Sequence, residues 1–256
     1  MTAASHTRIS GNPLWIERYG ASEKTEEFYA ALFGWEINAP TDDMPLNRPV
    51  THHGRLLTSF EPAIAAEGND PGFSGWLVSL GVEDVALAAK RAQDGGATIF
   101  TPPTPIDDTT SFAAVGVPCG LRIGLLSLPK EEDPTPFEAG FPVWHEAYGG
   151  NFSAAVKLFT TAFGWDPQIL DPSLEFVTNG PGEQAQVGLS STTQEFERGS
   201  FPVGWEIYFA VANADSACER VRDLGGTLLS EVTDTPWGRI GRCADPDGVG
   251  FSVVQL

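Results

Sequence analysis

The chain has 256 residues with 34 acidic and 15 basic side chains, a net charge of −19, 41% hydrophobic residues and 11% aromatic ones. That is enough chain for one or two domains with a sizeable core, and a charge that repels phosphate backbones and anionic lipid surfaces, so neither nucleic acid nor a membrane is an expected partner. No apolar run approaches the roughly 18 residues that a membrane-spanning helix needs.

The first ten residues, "MTAASHTRIS", lack the apolar stretch of a secretory signal, and residues 1–11 read as a disordered N-terminus. Cys119, Cys218 and Cys243 are far apart in sequence and form no CxxC pair, so they outline neither a disulfide framework nor a zinc site. Together these features predict a cytoplasmic protein. Cys119 and Cys243 read as small packing residues.

From residue 13 the chain reads "PLWIERYGASEKTEEFYAALFGWEI" and, from 142, "PVWHEAYGGNFSAAVKLFTTAFGWDP". Pro13 aligns with Pro142, Trp15 with Trp144, Glu17 with Glu146, Tyr19 with Tyr148, and Phe33-Gly34-Trp35 with Phe163-Gly164-Trp165. In each copy the Phe and Trp are expected to pack while the Gly ends a helix. Next, "GWLVSLGVEDVALAAKRAQDGGA" (75–97) aligns with "GWEIYFAVANADSACERVRDLGGT" (204–227), each a strand, turn, helix and Gly-Gly stop. Trp15 and Trp76 lie 61 positions apart, and so do Trp144 and Trp205. Each half is therefore two units of about 60 residues, a size that is marginal for an independent core. Paired side by side, two such units form one curved sheet with helices on one face and an open cup on the other. The predicted fold is α+β, with four βαβββ units in two domains, residues 12–127 and 141–256. A Pro-rich, charged linker spans 128–140.

Strand alternation sorts the polar residues of the second half. Glu206, Tyr208 and Ala210 share a face, opposite Ile207, Phe209 and Val211, which read as the helix-covered side. His145 alternates with Trp144 and Glu146. Glu206, Tyr208, His145 and Ser252 are expected to meet in the second cup, where a carboxylate, a phenol, an imidazole and a hydroxyl can move protons or orient a ligand. Glu17 and Glu146 recur in both copies, which favours a structural task such as bonding nearby backbone. His52-His53 reads as an exposed turn into a strand, with a ligand-facing role as the alternative. No Walker loop, GxGxxG or GxSxG element is present.

Three stretches carry a resemblance: "FYAALFGW", "FAVANADSACERVRDLGGT" and "GRIGRCADPDGVGFSVVQL". Through them the chain resembles the vicinal oxygen chelate superfamily, which includes glyoxalase I, extradiol dioxygenases, fosfomycin-resistance enzymes and bleomycin-binding proteins. The resemblance covers residues 12–127 and 141–256 and is closest to two-domain actinobacterial glyoxalase-like members. It implies metal-ligand positions at Leu14, Leu77 and Gly124 in the first half, and at Val143, Glu206 and Ser252 in the second. Only Glu206 has a strong donor, and "VPCG" (117–120) stands where "DPDG" (245–248) stands in the second half. No metal or other cofactor is therefore expected; a shifted register recruiting His145 beside Glu206 is the remaining route to one. The first functional expectation is a protein whose apolar, acidic cups accommodate a hydrophobic, aromatic or cationic small molecule, such as an antibiotic or secondary metabolite, with Val143, Ser252, Leu14, Leu77 and Gly124 lining them. The second is a metal-independent isomerase, lyase or oxygenase-type enzyme in the second domain, with Glu206 as base and His145 or Tyr208 holding an oxyanion. Metal-dependent glyoxalase or dioxygenase chemistry comes third. Four units in one chain can complete both cups, which suits a monomer or a homodimer.

Overall fold

The computed structural model describes residues 10–41, 45–68, 70–127, 137–169, 174–192 and 202–255. The first half runs β1 (Pro13–Tyr19), α1 (Glu23–Phe33), β2 (Glu36–Ile37), β3 (Arg48–His52), β4 (Arg55–Glu61), β5 (Gly75–Val82), α2 (Val85–Asp94), β6 (Thr98–Pro105), β7 (Ser111–Gly116) and β8 (Arg122–Ser127). The second runs β9 (Pro142–Gly149), α3 (Phe152–Phe163), β10 (Gln168–Ile169), β11 (Phe176–Thr178), β12 (Val187–Ser191), β13 (Gly204–Val211), α4 (Ala214–Asp223), β14 (Thr227–Leu228), β15 (Thr233–Thr235), β16 (Gly238–Ala244) and β17 (Gly250–Gln255).

Each half folds into one mixed sheet, and the two sheets repeat one topology. The orders are β2-β3-β4-β1-β5-β8-β7-β6 and β10-β11-β12-β9-β13-β17-β16-β14, with β15 paired to β16. In both, the leading strand runs parallel to the last strand of its own unit (β1 with β4, β9 with β12) and antiparallel to the leading strand of the next (β1 with β5, β9 with β13). The repeat in the sequence is thus a repeat of βαβββ units, two per sheet, as the spacing of the tryptophans predicts.

The described helices pack in pairs in a layer between the sheets, α1 against α4 and α2 against α3, and the central strands β5 and β13 meet directly within it. One continuous apolar core runs through that layer and joins both halves. Tyr29 on α1 stacks on Trp35 at 5.4 Å, meets Phe60 and Trp76 of its own sheet, and reaches Phe209 and Phe251 of the other. Each sheet's other face looks away from the helices and is its cup. No described helix is long and apolar enough to cross a membrane.

The Phe-Gly-Trp phrase earns its two appearances at the joint between halves. Gly34 and Gly164 end α1 and α3 in the left-handed region, at φ 73° and 82°, where glycine pays no Cβ penalty. The chain then turns so that Trp35 donates its indole N–H to Gly140 O at 2.9 Å, and Trp165 donates to Gly11 O at 3.0 Å. Each tryptophan thereby pins the segment leading into the other half's first strand. Ser10 and Gly11, expected to be disordered, are held by Ser10 Oγ donating to Phe163 O and Gly11 N–H to Gly81 O. Residues 1–9, and residues 128–136 of the expected linker, lie outside the described residues.

A second exchange across the joint breaks the symmetry. Arg18, fully buried on the helix side of β1, pairs with Asp245 of the 245–248 turn, its Nε and Nη2 both 3.0 Å from Oδ2. Tyr29 also donates to that oxygen, at 3.2 Å, while the N–H groups of Asp247 and Val249 donate to Oδ1. At the equivalent joint Arg18 is replaced by Ala147 and the turn reads Val117-Pro118-Cys119-Gly120, with Gly150 N–H donating to Cys119 O. The change from "DPDG" to "VPCG" thus tracks the loss of an arginine to pair with.

The histidine expectation needs correction, while the cysteines pack in the core as expected. His52 is buried, with ring nitrogens 3.0 Å from Ala139 O and 3.3 Å from Gly34 O, and only His53 is exposed, so the pair belongs to the joint. Cys218 on α4 and Cys243 on β16 lie far apart in sequence, yet their sulfurs are 3.8 Å apart in the core.

Candidate functional site in the second cup

β9 and β13 form the floor of the second cup. Their antiparallel register sets Glu206 directly opposite Glu146, and Tyr208 opposite Trp144. Directly opposed residues share a face, so both glutamates point into the cup. β17 lies parallel to β13 and places Ser252 beside Tyr208, while β16 sets Arg242 opposite Ser252. Strand geometry alone brings together two carboxylates, a guanidinium, a phenol and two hydroxyls.

Each carboxylate has its own partners. Ser190 Oγ donates to Glu146 Oε1 at 2.7 Å, and Tyr208 OH donates to Glu146 Oε2 at 3.2 Å. Ser252 Oγ donates to Glu206 Oε1 at 2.8 Å, and Arg242 Nε lies 3.3 Å from the same oxygen. Burial pushes the Glu206 carboxyl up to about 6; Arg242 and Ser252 oppose that rise, and the Glu146 charge adds to it. The polar row sits under an apolar shelf: Tyr208, Ile240 and Val254 form a small cluster with Val143 and Trp144 packed against it. Gly250 leaves the room this row needs, since a Cβ there would lie 3.1 Å from Glu206 Oε2.

His145 does not join Glu206. It is paired with Ile207, whose side chain is buried in the helix-side core, so the imidazole points away from the cup. Its Nδ1 lies 3.4 Å from Gln186 O, and burial lowers its pKa to about 4. The cause is a bulge. Tyr208 pairs with Trp144 but Phe209 pairs with Pro142, so Val143 is an extra residue and the alternation counted from it slips by one. Val143 therefore lies at the cup, as expected, while His145 falls on the other face. The same count missed Glu146, which bonds side chains in the cup rather than backbone, and it missed Arg242 and Ser190. The cross-copy identity of Glu17 and Glu146 was the available signal.

In the first cup Leu77 is paired with Glu17, Gly124 with Ser79, and Leu14 lies in the matching bulge between Pro13 and Trp15. None of these three side chains can ligate a metal. In the second cup the one strong donor at an implied ligand position, Glu206, is engaged by the Arg242 cation, and no group of three His, Cys, Asp or Glu that could hold an ion occurs among the described residues. The donor set therefore does not fit the divalent metal that the resemblance implies. Addition of Mn(II), Fe(II), Ni(II) or Zn(II), or of a chelator, is expected to leave the melting temperature within about 1 °C, because binding to the native state alone would raise it. A saturable metal-dependent rise in a thermal melt would contradict this assignment.

Comparison with known proteins agrees with this architecture. The profile of the family described as "Glyoxalase-like domain" matches residues 149–254. The "Anthracycline biosynthesis protein DnrV" of Streptomyces peucetius is 26% identical over 96% of this chain and 94% of its own length. The "Putative glyoxylase CFP32" of Mycobacterium tuberculosis is 25% identical over 96% and 95%. Among solved structures, the 2,3-dioxygenase LapB from Pseudomonas sp. KL28 superposes with a TM-score of 0.64 at 15% identity, covering 98% of this chain and 94% of that one. The Mn(II)-bound glyoxalase from Novosphingobium aromaticivorans does so with 0.63 at 12%, covering 96% and 82%.

Proposed function

We propose that this chain is a member of the vicinal oxygen chelate superfamily, supported by the glyoxalase-like match over residues 149–254, and that it binds a hydrophobic aromatic small molecule in its second cup without a metal. The observation that carries the reading is the cross-strand pair Glu146–Glu206, sunk in the cup floor beside the shelf of Val143, Trp144, Tyr208, Ile240 and Val254. Buried carboxylates are costly unless they are bonded. Here each is held by named donors, which leaves acceptor capacity for a ligand hydroxyl. A planar ring system with phenolic or keto edges suits such a site: the rings lie on the shelf, and the edge meets the carboxylates, Tyr208 and Arg242. The relatives named for anthracycline biosynthesis add support for a polycyclic aromatic ligand.

Calorimetric titration of dihydroxyanthraquinones and similar phenolic polycycles tests this. Saturable binding is expected, weakened about tenfold or more by Glu206→Gln and by Glu146→Gln, as for loss of a charge-assisted hydrogen bond. Binding that neither variant alters would place the ligand elsewhere.

A second reading is favoured by Glu206 itself. With its pKa near 6 and a phenol on the same face, it suits a general base that removes a proton from a carbon or hydroxyl next to a carbonyl. That reading requires conversion of the bound ligand by the wild-type protein and loss of that conversion in Glu206→Gln.

A further inference from the structure

The first cup carries a different set of groups. Ile16 and Arg18 of β1 are buried on the helix side, so Trp15, Glu17 and Tyr19 face the cup. Register adds Ser59 and Glu61 from β4, Leu77 and Ser79 from β5, and Arg122 and Gly124 from β8. Glu61 Oε1 accepts from Ser59 Oγ at 2.5 Å, and Glu17 accepts a side-chain hydrogen bond from Trp15. Here the parallel with the second cup ends. The position of Glu206 is taken by Leu77, and Ala114 stands where Arg242 does. The one arginine of this cup, Arg122, is ion-paired to Asp70 and lies between the rings of Phe73 and Phe100, at 5.1 and 4.1 Å from their centroids.

Two polar atoms on this face are buried without a hydrogen-bond partner among the described residues: Glu17 Oε2 and Ser79 Oγ. Ser79 is fully buried and sits across from Trp15, one register step from Glu17; the absence of a side chain at Gly124 makes space for its hydroxyl. A folded protein rarely leaves such atoms unpaired unless something else completes them. Neither Glu17 nor Glu61 forms an ion pair among the described residues, and each lies on a wall that also holds Tyr19, whose ring meets Phe73 edge-on at 5.5 Å.

We infer that the first cup is a second binding site, built for an organic cation: a protonated amine carried on an aromatic or apolar body. The ammonium group donates to Glu17 Oε2 and Glu61 and accommodates the Ser79 hydroxyl as a further acceptor. The apolar body lies against Tyr19 and Leu77 and the edges of the Phe73 and Phe100 rings, whose faces flank Arg122. Arg122 does not compete for the carboxylates because Asp70 holds it. The two cups then differ in the charge they accept: the second pairs Arg242 with its carboxylate Glu206, whereas in the first Arg122 is paired to Asp70.

Binding is coupled to a proton. Burial, with the Glu61 charge second, raises the Glu17 carboxyl to about 8, and burial raises Glu61 as well. The groups facing Glu17 are Glu61 and Ser59 on β4, Trp15 and Tyr19 on β1, Ser79 on β5 and Arg122 with Asp70 at the edge. Only Arg122 carries positive charge. At neutral pH Glu17 is mostly protonated, so an arriving ammonium displaces that proton. Affinity for a primary amine therefore rises from pH 6 to pH 8.5.

The test is calorimetric titration of the full chain with 1-naphthylmethylammonium, with its N-acetyl derivative as the neutral control, in two buffers of different ionisation enthalpy. The expected result is saturable binding of the ammonium, at least about tenfold tighter than the acetylated compound, with proton release at pH 7. Glu17→Gln and Glu61→Gln each weaken it about tenfold, while Glu206→Gln leaves it unchanged. Equal affinity for the charged and neutral compounds, or no binding of either, overturns the inference. So does loss of ammonium binding in Glu206→Gln but not in Glu17→Gln, which would move the cation to the second cup. A thermal melt of each variant separates lost binding from lost folding.

Discussion

Replacing Asp245 by valine is expected to destabilise the protein by about 3–5 kcal/mol, among the largest single effects available in this fold. The substitution removes the nearer counter-ion of the fully buried Arg18 and leaves it only the more distant Asp247 carboxylate, 3.7 Å from Nη2. It also removes the acceptor for Tyr29 OH and for the N–H groups of Asp247 and Val249. The chain contains its own control, because the equivalent joint holds Ala147 against the Val117–Gly120 turn and has no ion pair. Adding Arg18→Met to Asp245→Val is therefore expected to restore at least about 1 kcal/mol, since an apolar replacement of both partners costs less than an orphaned charge. Urea denaturation of the wild type and the three variants, followed by tryptophan fluorescence, measures this. Additive losses from Arg18→Met and Asp245→Val would show that the two side chains are not coupled.

Glu17→Gln is expected to stabilise the protein at alkaline pH. The Glu17 carboxyl rises from an ordinary 4.5 to about 8 in the folded chain. A raised carboxyl favours folding while it is protonated: its contribution is complete below about pH 4.5 and is lost as pH climbs through 8. The linkage is worth about 1.4 kcal/mol per unit, and the partial solvent contact of this side chain discounts the full shift to roughly 2–4 kcal/mol. The wild type should therefore lose stability between pH 4.5 and 8.5 relative to Glu17→Gln, while the two converge near pH 4.5. Denaturation midpoints across that range measure it; parallel curves would mean that Glu17 titrates as an ordinary surface carboxylate. Glu206, raised to about 6, follows the same sign over the narrower window from pH 4.5 to 6.

Much of the architecture is legible in the sequence because the repeat is long and its landmarks are bulky. The Trp15–Trp76 and Trp144–Trp205 intervals mark the leading strands of four units, and both sheets carry them at matching places. Alternation along β13 correctly separates Ile207 and Phe209, in the core, from Glu206 and Tyr208, in the cup. What alternation cannot carry is register through a bulge: one extra residue at Val143 moves His145 off the cup and puts Glu146 on it. Contacts across the pseudo-symmetric joint are equally invisible in local pattern. Arg18 and Asp245 are 227 positions apart, and the bond of Trp35 to Gly140 depends on how the halves pack. The asymmetry between "VPCG" and "DPDG" reads in the sequence as an eroded site. In three dimensions it is the presence or absence of a partner for a buried arginine.

Whether an aromatic ligand sits on the Glu146–Glu206 floor is read most directly by carbon NMR of the glutamate carboxyls with and without a dihydroxyanthraquinone. A free Glu206 is expected to titrate near pH 6, and the ligand to shift Glu206 and Glu146 while Glu17 and Glu61 stay still. Ligand binding that leaves the Glu206 and Glu146 signals unmoved would contradict that placement.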